Sequence, residues 1–297
     1  MNSICLYNGY ALPAIGYGTF PQKESLVKSI PEAVSCGYRL VDVSDNYGNE
    51  AFAGQGLADA GDAGKDVVVV TKFSRPLKTR NLAQGFAASE RRLGRKIDVY
   101  LLHWPYPFLW RQQWREMEDL YLAGRCKAIG VCNFDMAMLK KLLGFCRVKP
   151  MVDQFERHPL FQQAETADFC RANGIQVMCY SPFARMDEQL MGNEVLREIA
   201  GRHRKTIGQV ILRWSIERGD LPIPASRSPG HIAENFAVSD FSLSQDDMKR
   251  IDALESGHRV RFDPRTRFGL RDKARFLKCR LRIFLANMIR PRKIKEA

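Results

Sequence analysis

The stretch Val67-Val68-Val69-Val70-Thr71-Lys72 decides the fold class of this chain. Four consecutive valines followed by a lysine indicate a strand that is buried on both faces and ends at a polar side chain. Two neighbouring stretches share this pattern: 39–43 contains Asp42 near its end, and 97–102 is followed by His103. Buried strands separated by helical segments are typical of a parallel sheet that is covered on both faces.

We predict eight such strands, near residues 39–43, 66–71, 97–102, 128–131, 151–155, 175–179, 221–224 and 238–241. Eight strand–helix units in about 220 residues favour an α/β protein of the (β/α)8 TIM-barrel type. Short apolar segments at 4–6 and 9–12 flank an Asn-Gly turn and predict an N-terminal β-hairpin. A doubly wound open sheet is the alternative, but its glycine-rich turn does not follow the first strand, and Gly54-Gln55-Gly56 lacks a third glycine.

Charge divides the chain into two parts. The net charge is +13, and residues 259–297 carry +11 of it, from fourteen Lys/Arg and three Asp/Glu. We therefore predict a nearly neutral barrel domain at 1–258 and a basic tail at 259–297. The sequence pI of about 9.5 thus describes the tail rather than the barrel.

The eight cysteines are scattered, with neither a Cys-x-x-Cys pair nor a zinc-finger spacing. We expect reduced thiols packed as small apolar groups and no metal site. The N-terminus lacks the basic start and apolar core of a signal peptide, and no apolar run is long enough to cross a membrane. These features favour a cytoplasmic protein.

Asp42, Tyr47, Lys72 and His103 follow the first three predicted strands. Each residue alone has an ordinary structural role available to it, such as a helix cap for the aspartate or a packed ring for the tyrosine. The carboxyl ends of barrel strands meet at one rim, however, so the four side chains are expected to lie together there. Together they favour an acid–base site built around a phenol.

The chemistry of these four residue types fits proton donation to a carbonyl oxygen. A nearby ammonium lowers a phenol's pKa, so Lys72 is expected to activate Tyr47, with Asp42 holding Lys72 charged. A neutral His103 would donate a hydrogen bond to the same oxygen. No side chain supplies hydride, so a reduced nicotinamide or flavin is implied.

The sequence resembles the aldo-keto reductase family over about residues 4–258. The segment Asp42-x-x-x-x-Tyr47-Gly48-Asn49-Glu50 is similar to the family's first signature, and Lys72 and His103 match its other two catalytic positions. The resemblance implies Tyr47 as general acid, in an NAD(P)H-dependent reduction of an aldehyde or ketone to an alcohol. It also implies a nucleotide bound along the barrel rim without a Rossmann domain.

The resemblance also implies cofactor contacts. On the nicotinamide side, the matching positions are Cys132 (where the family has serine), Asn133, Gln154, Tyr180 and Ser181. On the adenosine side, they are Ser226, Glu234 and Asn235. The Lys and Arg that the family uses for the NADP 2′-phosphate are replaced by Ala225 and His231, and Arg227 is expected to supply that charge. NADPH is the favoured cofactor, and NADH stays open as the alternative.

Phe20 and Trp104 are predicted to line the substrate mouth, together with Tyr106 and Trp110, for which packing is an equally good interpretation. An aromatic lining without an arginine would favour a neutral aldehyde or ketone. The family's C-terminal segment contributes to this pocket, but here it diverges too far for any residue to be carried over.

Residues 271–290 predict a basic amphipathic helix. Two interpretations stay open: residues 271–295 bind an anionic membrane surface or an acidic partner, or the apolar face packs on the barrel or in a dimer. The first would place the protein at the inner face of a membrane. Nucleic acid is not an expected partner, since no reader motif is present. The sequence leaves monomer and dimer open.

A non-catalytic nucleotide-binding barrel, acting as a regulatory or membrane-recruited module, is the alternative function. The changes at Cys132, Ala225 and His231 leave room for it, whereas the intact catalytic set favours an enzyme.

Overall fold

The computed structural model describes residues 3–74, 76 and 81–289, with side chains up to Arg282. The strands of this part are β1 (Ser3–Cys5), β2 (Ala11–Pro13), β3 (Tyr17–Gly18), β4 (Leu40–Asp42), β5 (Val68–Phe73), β6 (Val99–Leu102), β7 (Ala128–Cys132), β8 (Val152–Glu156), β9 (Gln176–Tyr180) and β10 (Leu221–Pro222). The valine-rich stretch lies in β5, which is the longest of them.

Helices follow the strands in alternation. They are α1 (Leu26–Cys36), α2 (Glu50–Asp59), α3 (Asp62–Lys65), α4 (Leu82–Leu93), α5 (Trp110–Leu122), α6 (Met136–Leu143), α7 (Ala164–Ala172), α8 (Glu188–Met191), α9 (Glu194–His203), α10 (Ile207–Glu217), α11 (Pro229–Phe236), α12 (Gln245–Asp252) and α13 (Leu270–Ile289). Several begin at side-chain caps that the sequence supplies: Asp135 accepts from the Met138 amide, and Thr206 forms a capping box with Gln209.

The strands β3 to β10 form one parallel sheet in sequential order. The sheet closes on itself where the first strand meets the last: the Gly16 amide donates to the Pro222 carbonyl at 3.0 Å, and the Gly18 amide to the Pro224 carbonyl at 2.9 Å. The predicted (β/α)8 barrel is therefore confirmed, as is the N-terminal hairpin, in which β1 pairs antiparallel with β2.

One barrel strand differs from the prediction, although the count of eight holds. The first strand of the barrel is β3, which was not predicted from the sequence. The predicted strand at 238–241 is not a strand in the structure. Glycine allows β3 to lie close to β10, because a Cβ on Gly18 would stand 2.5 Å from the Ile223 carbonyl oxygen. Once β3 closes the barrel against β10, 238–241 has no sheet edge to join.

The core has two layers. Inside the barrel, Leu40, Val99 and Met178 belong to a cluster that also includes Leu6 and Leu12 of the hairpin segment, so the hairpin packs against the interior of the barrel. Between the sheet and the helices lies a larger apolar cluster. Four cysteines are buried and all eight are free thiols. Burying this apolar surface on both sides of the strands is what fixes the positions of their polar ends.

The C-terminal segment lies across the rim at which the strands end. The Glu156 carboxylate at the end of β8 accepts from the Val260 and Arg261 amides at 2.7 and 3.0 Å. On α13, Phe276 is buried against Trp104, Tyr106 and Phe268. The predicted C-terminal helix is thus present, and residues 290–297 of the predicted tail lie outside the described residues.

No helix in the described part of the chain is long and apolar enough to span a bilayer.

Candidate active site

The four predicted catalytic residues lie at the carboxyl ends of adjacent strands. Asp42 ends β4, Lys72 lies in β5, and His103 directly follows β6. Tyr47 lies on the turn between β4 and α2. The parallel register brings the ends of these strands side by side, as expected from the sequence.

Asp42 and Lys72 form a buried ion pair. Their Oδ1 and Nζ atoms are 2.5 Å apart, and Nζ also donates to the Val43 carbonyl at 2.9 Å. The second carboxylate oxygen of Asp42 accepts from Gln154 Nε2 at 2.7 Å. Burial by itself lowers the pKa of Lys72, but Asp42 together with Tyr47 and Cys132 outweighs it and the net shift is upward, so the ammonium is charged in the interior.

The Tyr47 ring lies between Lys72, His103 and Phe20. Lys72 Nζ is 5.2 Å from the ring centroid, and the centroids of His103 and Phe20 are 5.8 and 4.9 Å away. Burial raises the pKa of Tyr47 to about 12, even though Lys72 acts in the expected, lowering direction. The net shift is therefore opposite to the sequence-based expectation, and the phenol carries its proton at neutral pH.

His103 is held as a neutral ring. Its Nδ1 is 2.5 Å from the Ser74 hydroxyl and 3.1 Å from the Ser44 hydroxyl. Burial, with the nearby Lys72 charge, lowers the pKa of His103 well below its ordinary value. Because a serine hydroxyl can donate to Nδ1, the single ring proton is free to reside on Nε2.

On the predicted nicotinamide side, amide and phenol groups are held together. Asn133 has a positive φ of 63°, its Nδ2 donates to the His103 carbonyl at 3.1 Å, and its Oδ1 accepts from the Tyr180 hydroxyl at 2.7 Å. Within the described residues, Gln154 Oε1 accepts no hydrogen bond. The second proton of Asn133 Nδ2 can donate to the carbonyl oxygen of a carboxamide, and Gln154 Oε1 can accept from its NH2 group. The residues therefore fit a nicotinamide.

A cavity of about 330 Å³ opens above these groups. Its lining includes Asp42, Tyr47, His103, Asn133, Tyr180, Ser181, Phe20 and Trp104. Cys132 and Gln154 are buried and do not line it. The structure thus brings three of the four predicted catalytic residues, part of the predicted nicotinamide set and both predicted substrate residues to one cavity, with Lys72 buried beneath Tyr47.

The predicted adenosine residues lie apart from this cavity: Ser226 and Arg227 precede α11, and Glu234 and Asn235 lie in its last turn. Arg227 is exposed and Asn235 is buried. The Ser226 carbonyl accepts from the Tyr17 hydroxyl at 2.5 Å, and Glu234 accepts from the Thr206 hydroxyl at 2.8 Å. Ser226 and Arg227 thus lie next to a helix N-terminus, a favourable place for a phosphate.

Comparison with known proteins agrees with this geometry. The sequence model of the Aldo/keto reductase family matches residues 6–256. The chain belongs to this family.

Three similar proteins show the extent of the match. The glyoxal reductase of Bacillus subtilis (strain 168) is 38% identical over 273 residues, which cover 89% of this chain and 96% of that protein. The crystal structure of MGS-M4, an aldo-keto reductase from a Medee basin deep-sea metagenome library, is 35% identical with a TM-score of 0.84, covering 88% of this chain and 98% of the other. A Bombyx mori aldo-keto reductase in complex with NADP is 28% identical with a TM-score of 0.82, covering 88% and 95%.

Family membership confirms the resemblance predicted from the sequence and makes the chain an oxidoreductase of the aldo-keto type. Nothing in its described residues favours the non-catalytic alternative. In the part of the chain that the structure describes, no three His, Cys, Asp or Glu side chains cluster as a metal site would require.

The residues of the site that were not predicted from the sequence include Ser44, Ser74, Arg185 and Arg261. The two serines follow strand ends, as His103 does, and that position was the available signal. Arg261 lines the cavity from the C-terminal segment, and Arg185 lines it from the loop after β9. The expectation of an aromatic lining without arginine is therefore wrong, because it took no account of where the C-terminal segment returns to the barrel.

Proposed function

We propose that this aldo-keto reductase uses NADPH to reduce an aldehyde or ketone to an alcohol, with Tyr47 as the proton donor. The observation that carries the proposal is the position of Tyr47, between a charged lysine and a neutral histidine at the edge of one cavity. A carbonyl oxygen in that cavity would lie beside two groups that can donate hydrogen bonds to it.

Each residue has a distinct task in this reduction. Tyr47 gives its proton to the developing alkoxide, because the phenol is protonated at neutral pH. The Lys72 ammonium stabilises the phenolate that remains, and Asp42 holds Lys72 in place. His103 donates a hydrogen bond from Nε2, which polarises the carbonyl before the proton moves.

The hydride requires a cofactor, and the residues around the cavity fit one. A nicotinamide bound there supplies the hydride that reaches the carbonyl carbon. Asn133 and Gln154 would hold its carboxamide, and Tyr180 would contact its ring. Ser181 would bind the part of the cofactor next to the nicotinamide. Cys132 is buried next to this set and would act through packing, since a thiol is a weak donor.

Ser226, Arg227, Glu234 and Asn235 would bind the adenosine end. Arg227 is exposed and makes no ion pair with the described residues, so its guanidinium is available to a 2′-phosphate. This favours NADPH over NADH, and the similar Bombyx mori reductase was solved with NADP.

The test is to mix the purified protein with NADPH or NADH and follow nucleotide fluorescence, then oxidation with a panel of neutral aldehydes. We expect NADPH to bind more tightly than NADH, and Arg227→Ala to weaken NADPH binding about tenfold while leaving NADH unchanged. Absence of binding of either nucleotide would overturn the proposal.

We further propose that residues 1–258 form the catalytic barrel and that the tail at 259–297 binds an anionic membrane surface. Support comes from the exposed faces of α13: Leu270, Leu277 and Leu281 are 86, 43 and 54% exposed and lie along one helical stripe. Six basic residues of the helix are exposed as well: Arg271, Lys273, Arg275, Lys278, Arg280 and Arg282. Phe276 packs on the barrel from another face of the helix, so packing and membrane binding use different side chains.

Co-sedimentation with vesicles of neutral or anionic lipid tests the tail. The paired substitutions Leu277→Ser and Leu281→Ser should reduce binding to anionic vesicles, while reductase activity in solution stays the same. Equal binding of both proteins, or no binding at all, would exclude this membrane role and turn attention to an acidic protein partner.

A further inference from the structure

Two arginines of the C-terminal segment lie near the catalytic cavity: one lines it, and the other stacks on a residue that lines it. Arg261 lines the cavity together with Tyr47 and His103, and its Cζ lies 5.2 Å from the Phe20 ring centroid. Arg267 stacks on Trp104, with its Cζ 4.1 Å from the ring centroid. The two side chains that were predicted to form an aromatic mouth are thus each covered by an arginine.

Neither of these arginines is held in an ion pair by the part of the chain that the structure describes. Neither forms an ion pair with an Asp or Glu side chain among the described residues, whereas Arg265 on the same segment pairs with Asp263 at 3.0 Å. The Nε atom of Arg267 is buried and has no hydrogen-bond partner. A partly buried cation with unused donors is costly to leave unpaired, so this arrangement favours an anion that arrives from outside the chain.

Arg261 is held in place rather than carried on a free loop. The buried Glu156 carboxylate accepts from the Val260 and Arg261 amides, so the end of β8 anchors the backbone on which Arg261 lies. Stacking on Phe20 further limits the side chain. A guanidinium fixed next to the reacting atoms can select among substrates, because little freedom is lost when it binds.

The position of Arg261 differs from that of the predicted phosphate contacts of the cofactor. Arg227 lies beside the start of α11, and Arg185 lines the cavity close to Ser181, on the predicted cofactor side. Arg261 instead contacts Phe20, whose ring packs on Tyr47. It therefore faces the side on which a carbonyl would meet its proton donor.

From these observations we infer that the substrate of this reductase carries an anionic group, a carboxylate or a phosphate, which Arg261 binds with support from Arg267. This inference rests on the proposed carbonyl reduction and narrows its substrate class. It reverses the expectation of a neutral substrate, which depended on a lining without arginine. Burial and Lys72 lower the pKa of His103 most, and both arginines act in the same direction. They therefore help to keep the ring neutral.

The test compares 4-carboxybenzaldehyde with its methyl ester, which has the same ring and aldehyde without the charge. We expect the wild-type protein to reduce the acid with a kcat/KM at least tenfold above that of the ester. Arg261→Gln should lower kcat/KM for the acid at least tenfold, mainly through KM, and for the ester less than threefold. Arg265→Gln is the matched control, because it removes the same charge from the same segment, and should leave the preference for the acid intact.

A second measurement does not depend on turnover. Calorimetric titration with the product 4-(hydroxymethyl)benzoate and its methyl ester measures binding directly, with or without nucleotide. We expect tighter binding of the carboxylate, lost in Arg261→Gln, and an unchanged NADPH affinity in that variant. If Arg261→Gln weakens NADPH binding instead, the arginine serves the cofactor and the inference is overturned.

Two further outcomes separate this inference from the proposed function. Reduction of the ester with no preference for the acid would overturn the anionic substrate while keeping carbonyl reduction. Reduction of neither aldehyde would count against the proposed function, and the product titration would then decide the anion site alone. Glyceraldehyde 3-phosphate compared with glyceraldehyde distinguishes a phosphate from a carboxylate as the preferred group.

Discussion

The floor and the rim of the catalytic cavity are built on different principles. The floor consists of Asp42, Tyr47, Lys72, His103 and Gln154, and in it Asp42 is buried and accepts hydrogen bonds from both Lys72 and Gln154. At the rim, Arg261 lines the cavity and Arg267 covers the Trp104 ring, and neither forms an ion pair with an acidic side chain in the described part of the chain. The Asp42–Lys72 ion pair of the floor is satisfied within the protein and suits chemistry that every substrate shares. The rim has unused donors, so it is the place where one substrate can be distinguished from another.

The largest effect is expected in the floor. Tyr47→Phe removes the proton donor but keeps the ring that packs on Phe20, so kcat should fall about 10²–10⁴-fold. NADPH affinity, measured by fluorescence titration, should change less than about threefold, since the phenol is not among the predicted cofactor contacts. If the variant keeps most of its kcat, a residue other than Tyr47 must be the proton donor.

Removal of the buried carboxylate should also destabilise the floor. Asp42→Ala leaves the Lys72 ammonium buried without its partner, which is expected to lower the free energy of unfolding by about 3–5 kcal/mol. Urea denaturation measures this change. The control is Asp62→Ala, which breaks an exposed pair with Lys65 and should leave the midpoint unchanged within error. Equal effects would show that the floor does not depend on its ion pair.

Between the two regions lies Glu156, which ties the rim to the barrel. Glu156→Gln keeps the shape but replaces one carboxylate oxygen by an NH2 group, so one of the two backbone amides loses its acceptor and the free energy of unfolding should fall by about 1–3 kcal/mol. The preference for 4-carboxybenzaldehyde over its methyl ester should fall with it, because Arg261 is then less well held. A loss of stability with an unchanged preference for 4-carboxybenzaldehyde would show that Glu156 does not influence the choice of substrate.

The smallest effect is expected from pH. The pKa of Tyr47 is about 12 and that of His103 lies well below its ordinary value. The phenol therefore loses its proton only as the pH rises towards about 12, and the ring gains one only well below about pH 6.5. Between about pH 6 and 9, kcat measured with saturating NADPH should change less than threefold. A fall in kcat with a midpoint near pH 6.5 would contradict the neutral ring.

Most of the floor could be predicted from the sequence because strand ends are fixed by apolar patterning. Asp42, Lys72 and His103 each follow a buried apolar run, and the parallel register then determines which side chains meet. The net pKa shift of Tyr47 could not be predicted, since it depends on how much burial opposes the Lys72 charge. Ser44 and Ser74 were missed because serine is common in turns and helix caps, so its position after a strand does not by itself indicate a functional contact.

The strand that closes the barrel, β3, and the position of Arg261 at the rim were harder to predict, for two different reasons. The strand β3 has two residues, and glycines at 16 and 18 lack the side chains that make a strand recognisable in sequence. Arg261 depends on a long-range return of the chain, held by Glu156 from more than a hundred residues away. Periodicity carries no information about such a contact. The predicted division of the chain at 258/259 stays a prediction, although hydrogen bonds cross it.

Isotope transfer tests the central claim most directly. NADPH deuterated at C4 on one face, and then on the other, is incubated with the protein and a neutral aldehyde, and the alcohol is examined by mass spectrometry. Carbonyl reduction in this cavity predicts one deuterium on the carbinol carbon from one of the two labelled faces, with none from the other. Alcohol without deuterium in either case, or no alcohol at all, would contradict hydride transfer from a nucleotide bound beside Tyr47.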